Sequence, residues 1–291
     1  MAGQIARLED RGVVAVTGAD ARTFLDGLAT AKVASAPEGS CGYGALLTPQ
    51  GKILFDFLGH ATADGIVLDC PAAAAADLAR RLGFYKLRAK VAVADVSGEY
   101  AVLAGWNGAA PIAGAGFDPR HGGLGWRAVV PAASAEAAMA ASGAAIVGDA
   151  DWQAHRIGLA IPEAGRDFAY GDAFPHDADL DQFGGVDFKK GCYVGQEVVS
   201  RMQHRGLARR RIVVVEAEAE LPAAGTEIVV GAKAVGTLGS SAGRRGLALV
   251  RLDRVKEALD AGAEIAADGR ALRFSLPEWA RFGWPETTAA D

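Results

Sequence analysis

The C-terminal part of the chain constrains the fold most, because from Arg209 onward the pattern changes to strand-like runs split by glycine turns. These runs are Arg211 to Glu216, Glu227 to Val230, Ala234 to Leu238 and Leu247 to Leu252. Short strands at close spacing are typical of a small β-barrel. We therefore predict a boundary near Gly206, which separates residues 1–206 from a C-terminal β-barrel domain with its tail over 207–291.

The preceding residues alternate between strand-like and helical runs in an order that favours an α+β protein over a regular βαβ series. We predict a strand over Val13 to Val16, a helix over Asp20 to Thr30 capped by Asp20, a hairpin across Pro49 to Gly51, and a helix from Pro71 that stops at Gly83. The alanine-rich stretch from Ala132 to Ala145 is helical at best.

Composition excludes some classes of function. A hydrophobic fraction of 51% and a charged fraction of 22% are those of a soluble globular protein. The formal net charge of -5 argues against a general nucleic-acid or membrane-surface binder, so we expect neither partner. The net charge does not exclude local basic patches. Lys86, Arg88 and Lys90 form a basic trio ahead of a predicted strand.

The three cysteines are Cys41, Cys70 and Cys192, and their spacing fits neither a disulfide framework nor a tetrahedral zinc site. The histidines show no paired metal spacing, so we predict no tightly bound metal. The N-terminus lacks an apolar core of signal-peptide length, and no apolar run reaches the roughly 18 residues that span a bilayer. With unpaired cysteines, these features predict a cytoplasmic protein.

The segment around Cys192 carries the clearest chemical signal. Lys189 and Lys190 precede the cysteine, and a probable helix follows it. Cations and helix N-terminal amides both favour the thiolate, which is the nucleophilic and metal-binding form of cysteine. A reactive thiol is one interpretation, and a small buried hydrophobic residue is the other.

Spacing supports the helix after the cysteine. Val194, Val198 and Met202 recur every four residues and would share one face. Glu197 and Arg201 stand in the favourable i, i+4 order for an ion pair on the other face.

The run Lys190-Gly191-Cys192-Tyr193-Val194-Gly195-Gln196-Glu197 resembles the signature of the YgfZ-type folate-binding proteins, relatives of the glycine-cleavage T-protein (aminomethyltransferase). Flanking residues 184–188 and 200–206, the stretch 46–52 and the C-terminal stretch 235–251 are similar to the same family. The resemblance implies a T-protein-like, multi-lobed α+β fold, with ferredoxin-like antiparallel sheets, helices and a C-terminal β-barrel. It also implies tetrahydrofolate as cofactor and a role in the maturation of iron–sulfur proteins.

The resemblance carries expectations for individual residues. Cys192 would be the functional thiol, with Lys189, Lys190 and Glu197 tuning it. The expected folate-binding residues are Trp152, Arg11, Asp177, Tyr193, Gln196 and Arg201. Two alternative interpretations stay open: Trp152 as an ordinary core residue, and Arg11 as an exposed charge. Asp177 is one methylene shorter than the related glutamate of the T-protein.

Three functions stay open at this point. The leading one is an accessory factor for assembly or repair of iron–sulfur clusters, with clients such as radical-SAM enzymes, including tRNA methylthiolases. The second is a folate-dependent aminomethyl or one-carbon transferase. It lacks a dependable general acid, because Asp77 is the only acid in range after the Asp69-Cys70-Pro71 strand end and is displaced from the expected position. The third is a binding scaffold without chemistry at Cys192.

Overall fold

The computed structural model describes residues 2–37, 39–206 and 208–286. The chain forms two compact units. The first consists of Met1–Trp152 with Phe183–Gln196, and the second of Gln153–Gln182 with Glu197–Asp291. The domain division at residue 206 stays a prediction.

Two antiparallel sheets with helices build the first unit. In chain order its elements are β1 (Gln4–Arg7), β2 (Arg11–Thr17), α1 (Ala21–Leu28), β3 (Gly42–Leu47), β4 (Ile53–Ala61), β5 (Gly65–Pro71), α2 (Ala72–Tyr85), β6 (Ala92–Asp95), β7 (Tyr100–Trp106), β8 (Gly116–Phe117), β9 (Trp126–Pro131), α3 (Ala135–Ala141) and β10 (Ala145–Ile146). One sheet has the strand order β3-β4-β5-β2-β6 and the other β10-β1-β7-β9-β8. The short β1–β10 pair is parallel, and the other recorded pairings in these sheets are antiparallel.

Helices α1 and α2 cover the first of these sheets. Val14 and Leu68 on the sheet, with Leu25 of α1 and Leu78 and Leu82 of α2, belong to one buried hydrophobic cluster. Alternate side chains of a strand share a face, so the alternation of β2 directs Val14 and Val16 onto these helices.

The remaining elements are α4 (Asp149–Gly158), α5 (Gln196–Arg205), β11 (Arg210–Ala217), β12 (Glu227–Val230), β13 (Lys233–Ala242), β14 (Arg245–Arg251), α6 (Leu252–Asp260), β15 (Ile265–Ala267) and β16 (Arg270–Ser275). The strands close into a barrel of order β11-β14-β13-β12-β15-β16. This confirms the predicted barrel. Among the described residues, no helix combines the length and apolar character needed to cross a membrane.

Two predicted helix signals are wrong in detail. Pro71 closes β5 rather than opening α2, and the helix continues through Gly83 to Tyr85. Asp20 precedes α1 but makes no side-chain cap there; its carboxylate accepts the backbone N–H of Lys90 at 2.7 Å. Asp20 therefore contacts a group that is distant in sequence instead of capping its own helix, and sequence spacing does not show such a contact.

Candidate functional site

The segment that carries Cys192 begins as a loop fastened to the first unit. The buried Thr30 hydroxyl donates to the carbonyl of Gly185 at 2.5 Å, and the Thr30 carbonyl accepts the N–H of Asp187 at 2.9 Å. The Asp187 carboxylate then accepts the N–H groups of Lys189 and Lys190, at 2.8 and 3.1 Å. These bonds fix the backbone immediately before the cysteine.

Lys190 fastens the same loop to the end of helix α1. Its ammonium donates to the carbonyls of Asp26 and Ala29, both at 2.5 Å, and to that of Ala31 at 3.4 Å. The last carbonyls of a helix lack intrahelical partners and carry partial negative charge, so a cation is favourable there. Burial lowers the pKa of Lys190. The lysine therefore anchors the loop, a role that the sequence did not predict.

Beyond the cysteine, the segment packs against the β3–β4 turn. Tyr193 is buried and lies with its ring centroid 5.5 Å from the Lys190 ammonium; burial, with Asp187, raises the pKa of Tyr193 to about 12. The hydroxyl of Tyr193 has no hydrogen-bond partner within the described part of the chain. Gly195 has φ +82°, and a Cβ there would lie 2.6 Å from the Thr48 carbonyl oxygen. This position therefore requires glycine.

Cys192 is the exposed thiol of the three. Cys41 and Cys70 are buried, and burial raises the pKa of both, that of Cys70 to about 12. The predicted helix start is wrong, because α5 begins only at Gln196. The field of a helix end fades within its first turn, so the N-terminus of α5 is a weaker influence on Cys192 than expected.

Helix α5 also differs from the prediction in its buried face. Val199 is its buried residue, and Val194 lies outside the helix. The predicted ion pair is confirmed, with Arg201 Nη2 2.7 Å from Glu197 Oε1. Both side chains are mostly exposed, and such a pair contributes about 0.3–0.5 kcal/mol.

A buried ionic cluster lies inside the first unit. Asp69 is fully buried and binds two arginines: Arg11 Nε at 2.5 Å and Arg127 Nη1 at 3.0 Å. Arg11 also donates to the Asp69 carbonyl at 2.9 Å. Burial alone would raise the pKa of Asp69, but Arg11 and Arg127 hold it below its usual value. The expected folate residue Arg11 is thus held by a buried carboxylate.

The cluster extends through Arg127. Its Nε lies 3.6 Å from Asp118, which Arg120 binds with two hydrogen bonds at 3.0 and 2.7 Å. The Arg127 guanidinium also lies 4.8 Å from the ring centroid of Trp152, which packs edge-on against Trp106. Trp152 is 1% exposed, so its indole belongs to the core of this unit.

Sequence reasoning missed this cluster, although the sequence contains a signal for it. Asp69 interrupts the apolar run from Ile66 to Cys70, and Arg127 interrupts that from Trp126 to Val130. A charge inside an otherwise buried strand requires an oppositely charged partner. The partners themselves are distant in sequence.

A groove of about 480 Å³ in the first unit passes beside the fastened loop. Cys41 and Tyr43 line it together with Phe188, and Lys32 and Lys189 contribute cations. The Cys41 thiol contacts His60 Nδ1 at 3.6 Å, and burial lowers the pKa of this histidine. The groove thus combines two aromatic side chains with two ammonium groups.

The second unit holds Asp177. Its Oδ2 accepts the N–H of Phe174 at 3.0 Å and pairs with Arg210 Nη2 at 2.7 Å. The carboxylate is buried and bound within its own unit. Throughout the described ranges, no group of three His, Cys, Asp or Glu side chains is arranged to hold a metal ion.

Comparison with known proteins agrees with this architecture. Residues 6–107 match the GCVT N-terminal domain, and residues 209–282 match the CAF17 C-terminal beta-barrel domain. Aminomethyltransferase T of the glycine cleavage system from Bartonella henselae superposes with a TM-score of 0.74, covering 96% of this chain and 86% of that one at 18% identity. This similarity shows the fold, and the T-protein-like fold class is confirmed.

The expected cytoplasmic location is wrong. Two relatives, the human iron–sulfur cluster assembly factor IBA57 and its homologue from Mycosarcoma maydis, are both named mitochondrial. Unpaired cysteines indicate that a protein resides in a reducing rather than an oxidising compartment, but they do not indicate which reducing compartment it is.

Sequence similarity to these relatives decides the family. The Mycosarcoma maydis homologue is 35% identical over 72% of this chain and 56% of its own length. Human IBA57 is 32% identical over 313 aligned positions, which cover 96% of this chain and 85% of the human protein. The finer YgfZ-type assignment stays a prediction, and the chain belongs to the family of the iron–sulfur cluster assembly factor IBA57.

Proposed function

We propose that this protein is a tetrahydrofolate-binding accessory factor for the assembly or repair of iron–sulfur proteins, with Cys192 as its functional thiol. The relatives named as iron–sulfur cluster assembly factors support the general role. The observation that carries the proposal is the placement of Cys192, an exposed thiol beside a loop that Lys190 and Asp187 fasten to the first unit.

This placement suits transfer of a cluster to or from a partner. Iron–sulfur clusters are held by thiolates, and a cluster takes four protein ligands. One exposed thiol supplies one ligand, so partner proteins would supply the others. A fastened loop presents the sulfur in one position, which lowers the entropic cost of forming a shared site.

The folate part of the proposal draws on the groove. A pterin needs a flat apolar or aromatic wall, and the glutamate carboxylates need cations. Tyr43 and Phe188 provide the wall, and Lys32 and Lys189 provide the cations. The volume of about 480 Å³ lies in the range of small-molecule sites.

The other expected folate residues stay proposals with a narrower role. Trp152, Arg11 and Asp177 are bound to protein partners in the described structure. Each would act through the partners that it binds within its own unit. Tyr193 and Gln196 lie in the segment that follows Cys192, where they position its backbone; Arg201 is paired with Glu197 on the exposed side of α5.

The alternative, an aminomethyl transferase, needs a general acid or base. Asp69 is fully buried between two arginines, and Asp77 is exposed and paired with Arg80 at 2.8 Å. Neither carboxylate is placed to exchange a proton with a bound substrate. We therefore favour the accessory role over the transferase.

Complementation tests the thiol. Cells lacking their own copy would receive the wild-type protein, Cys192→Ser, or the matched buried-thiol control Cys70→Ala. We expect client radical-SAM activity to fall with Cys192→Ser and to persist with the control at equal protein level. Equal activity of the two variants would refute a functional Cys192.

Native alkylation provides a second measurement of the same site. Cys192 should react with iodoacetamide in the folded protein, whereas Cys41 and Cys70 should react only after denaturation, because they are buried. Modification of either buried thiol at a similar rate would contradict the assignment.

Calorimetry with tetrahydrofolate tests the groove separately. We expect binding by the wild type, weakened by Lys32→Ala and by Lys189→Ala, and unchanged by Lys233→Ala on the barrel. Absence of binding by the wild type would refute the folate part of the proposal. The role in cluster assembly would then be decided by the complementation experiment.

A further inference from the structure

The end of helix α2 and the turn after it form a mostly exposed segment, residues 80–90, which we call the basic tip. Phe84 is 68% exposed and Leu87 is 89% exposed, the two largest exposures among the big apolar side chains of the described residues. A Cβ added at Gly83 would meet no atom within 4 Å. The two apolar side chains therefore project into open space.

Cations surround these apolar side chains. The basic tip carries five of them and no acid: Arg80, Arg81, Lys86, Arg88 and Lys90. The chain as a whole has a formal net charge of -5, so the basic tip is a strongly positive region on a chain that is acidic overall.

Two carboxylates contact the basic tip from neighbouring positions. Asp77 pairs with Arg80, and Asp20 accepts the backbone N–H of Lys90. Within the described residues, Arg81, Lys86 and Arg88 form no ion pair. Most of the positive charge thus stays available to a partner.

The backbone of the turn holds the apolar side chains outward. Leu87 has φ +42°, a left-handed conformation that is uncommon for a leucine. The N–H of Ala89 donates to the Lys86 carbonyl at 2.7 Å, and Val91, directly after the tip, is buried. The turn is therefore braced at its base, and its exposed side chains are not the result of a frayed end.

We propose that the basic tip docks on an anionic lipid surface. We infer the occupant from the exposed apolar side chains and the charge together. A lipid surface takes apolar side chains at the acyl boundary and attracts the surrounding cations. This charge complementarity supports the bilayer as occupant.

Two other classes of partner fit less well. A standard protein interface buries about 800 Å² on each side, and two exposed apolar side chains present much less. Single-stranded nucleic acid is bound by grooves that follow the backbone, with several stacked aromatic side chains, whereas the basic tip exposes one phenyl ring.

The net negative charge of the chain does not oppose this local contact. Charges beyond about 8 Å are largely screened at physiological salt. The acidic balance argues only against general adhesion to membranes and does not exclude docking through the basic tip.

Vesicle co-sedimentation tests the proposal on the full chain. The probes are vesicles of phosphatidylcholine alone and vesicles with one third phosphatidylglycerol. The variants are Lys86→Glu/Arg88→Glu and Phe84→Ser/Leu87→Ser. The control is Lys233→Glu/Arg244→Glu, which makes the same charge change on exposed barrel residues. Thermal unfolding confirms that each variant is folded.

We expect binding to the anionic vesicles only, weakened at least about tenfold by either tip variant and lost at high salt, with the control unchanged. The proposal is overturned if the wild type does not bind, if it binds both vesicles equally, or if the control loses as much affinity as the tip variant. Tighter binding to a single-stranded oligoribonucleotide, weakened by the same tip variants, would assign the tip to nucleic acid instead.

Discussion

Replacing Lys190 by methionine should detach the loop next to Cys192, whereas the same change at Lys189 should not. The two lysines are neighbours in the chain, but they differ in their surroundings. Lys190 donates to the carbonyls at the end of α1, and Lys189 is exposed. Methionine keeps an unbranched apolar side chain, one atom shorter than that of lysine, and removes the charged donor.

The expected magnitude follows from the hydrogen bonds. Each of the two 2.5 Å bonds from the Lys190 ammonium has a charged donor. Such bonds contribute about 1.5–3 kcal/mol each, and ordering a lysine side chain costs up to about 2 kcal/mol. Lys190→Met should therefore lower the free energy of unfolding by about 2 kcal/mol. Lys189→Met should change it by less than about 0.5 kcal/mol.

Two assays would measure this difference. Denaturant unfolding gives the change in global stability, and limited proteolysis between residues 187 and 193 detects a loop that opens without global unfolding. The reasoning is refuted if the two variants lose equal stability, or if Lys190→Met changes neither stability nor cleavage. In either case Lys190 would not be the anchor that its contacts indicate.

Three further predictions concern the first unit. Asp69→Asn should cost about 3–5 kcal/mol of unfolding free energy, because it removes the carboxylate that binds Arg11 and the buried Arg127, while the exposed Asp77→Asn should cost less than about 1 kcal/mol; equal losses in denaturant unfolding would contradict this. The lowered pKa of Asp69 means that its contribution is present above its ordinary pKa of 3.8 and is lost as the pH falls through the lower folded value, so acid titration of stability should be steeper in the wild type than in Asp69→Asn. Gly195→Ala should lower the midpoint of thermal unfolding by an amount equivalent to roughly 1–3 kcal/mol, because of its φ of +82° and its approach to Thr48; an unchanged midpoint would show that the turn adapts.

The sequence predicted those parts of the fold that depend on local patterns. The barrel strands, the β3–β4 hairpin and helices α1 and α2 follow from apolar periodicity and turn residues. Errors occur where a distant group replaces a local one. Asp20 was expected to cap its own helix, but its carboxylate is bound by the backbone of Lys90, 70 residues away.

The same distinction explains what was found and missed at the site. Lys189, Lys190 and Cys192 were identified because they are adjacent, and adjacency suggested that both cations face the thiol. Which lysine turns inward depends on the position of α1, which precedes the segment by about 160 residues in the chain. The different roles of Lys189 and Lys190 therefore depend on how the folded unit packs.

Burial decides among the cysteines in a similar way. Their number and spacing excluded disulfide and zinc frameworks but gave no reason to prefer one thiol over another, except for the charges near Cys192. In the folded unit, Cys41 lies against His60 within reach of the field of Asp118 and Asp69, and both burial and these carboxylates raise its pKa. A thiol in that environment stays protonated and is a poor metal ligand. Burial is the main cause that keeps this cysteine protonated, because the arginines of the ionic cluster oppose its carboxylates. Cys192 is thus left as the thiol that is accessible from solvent.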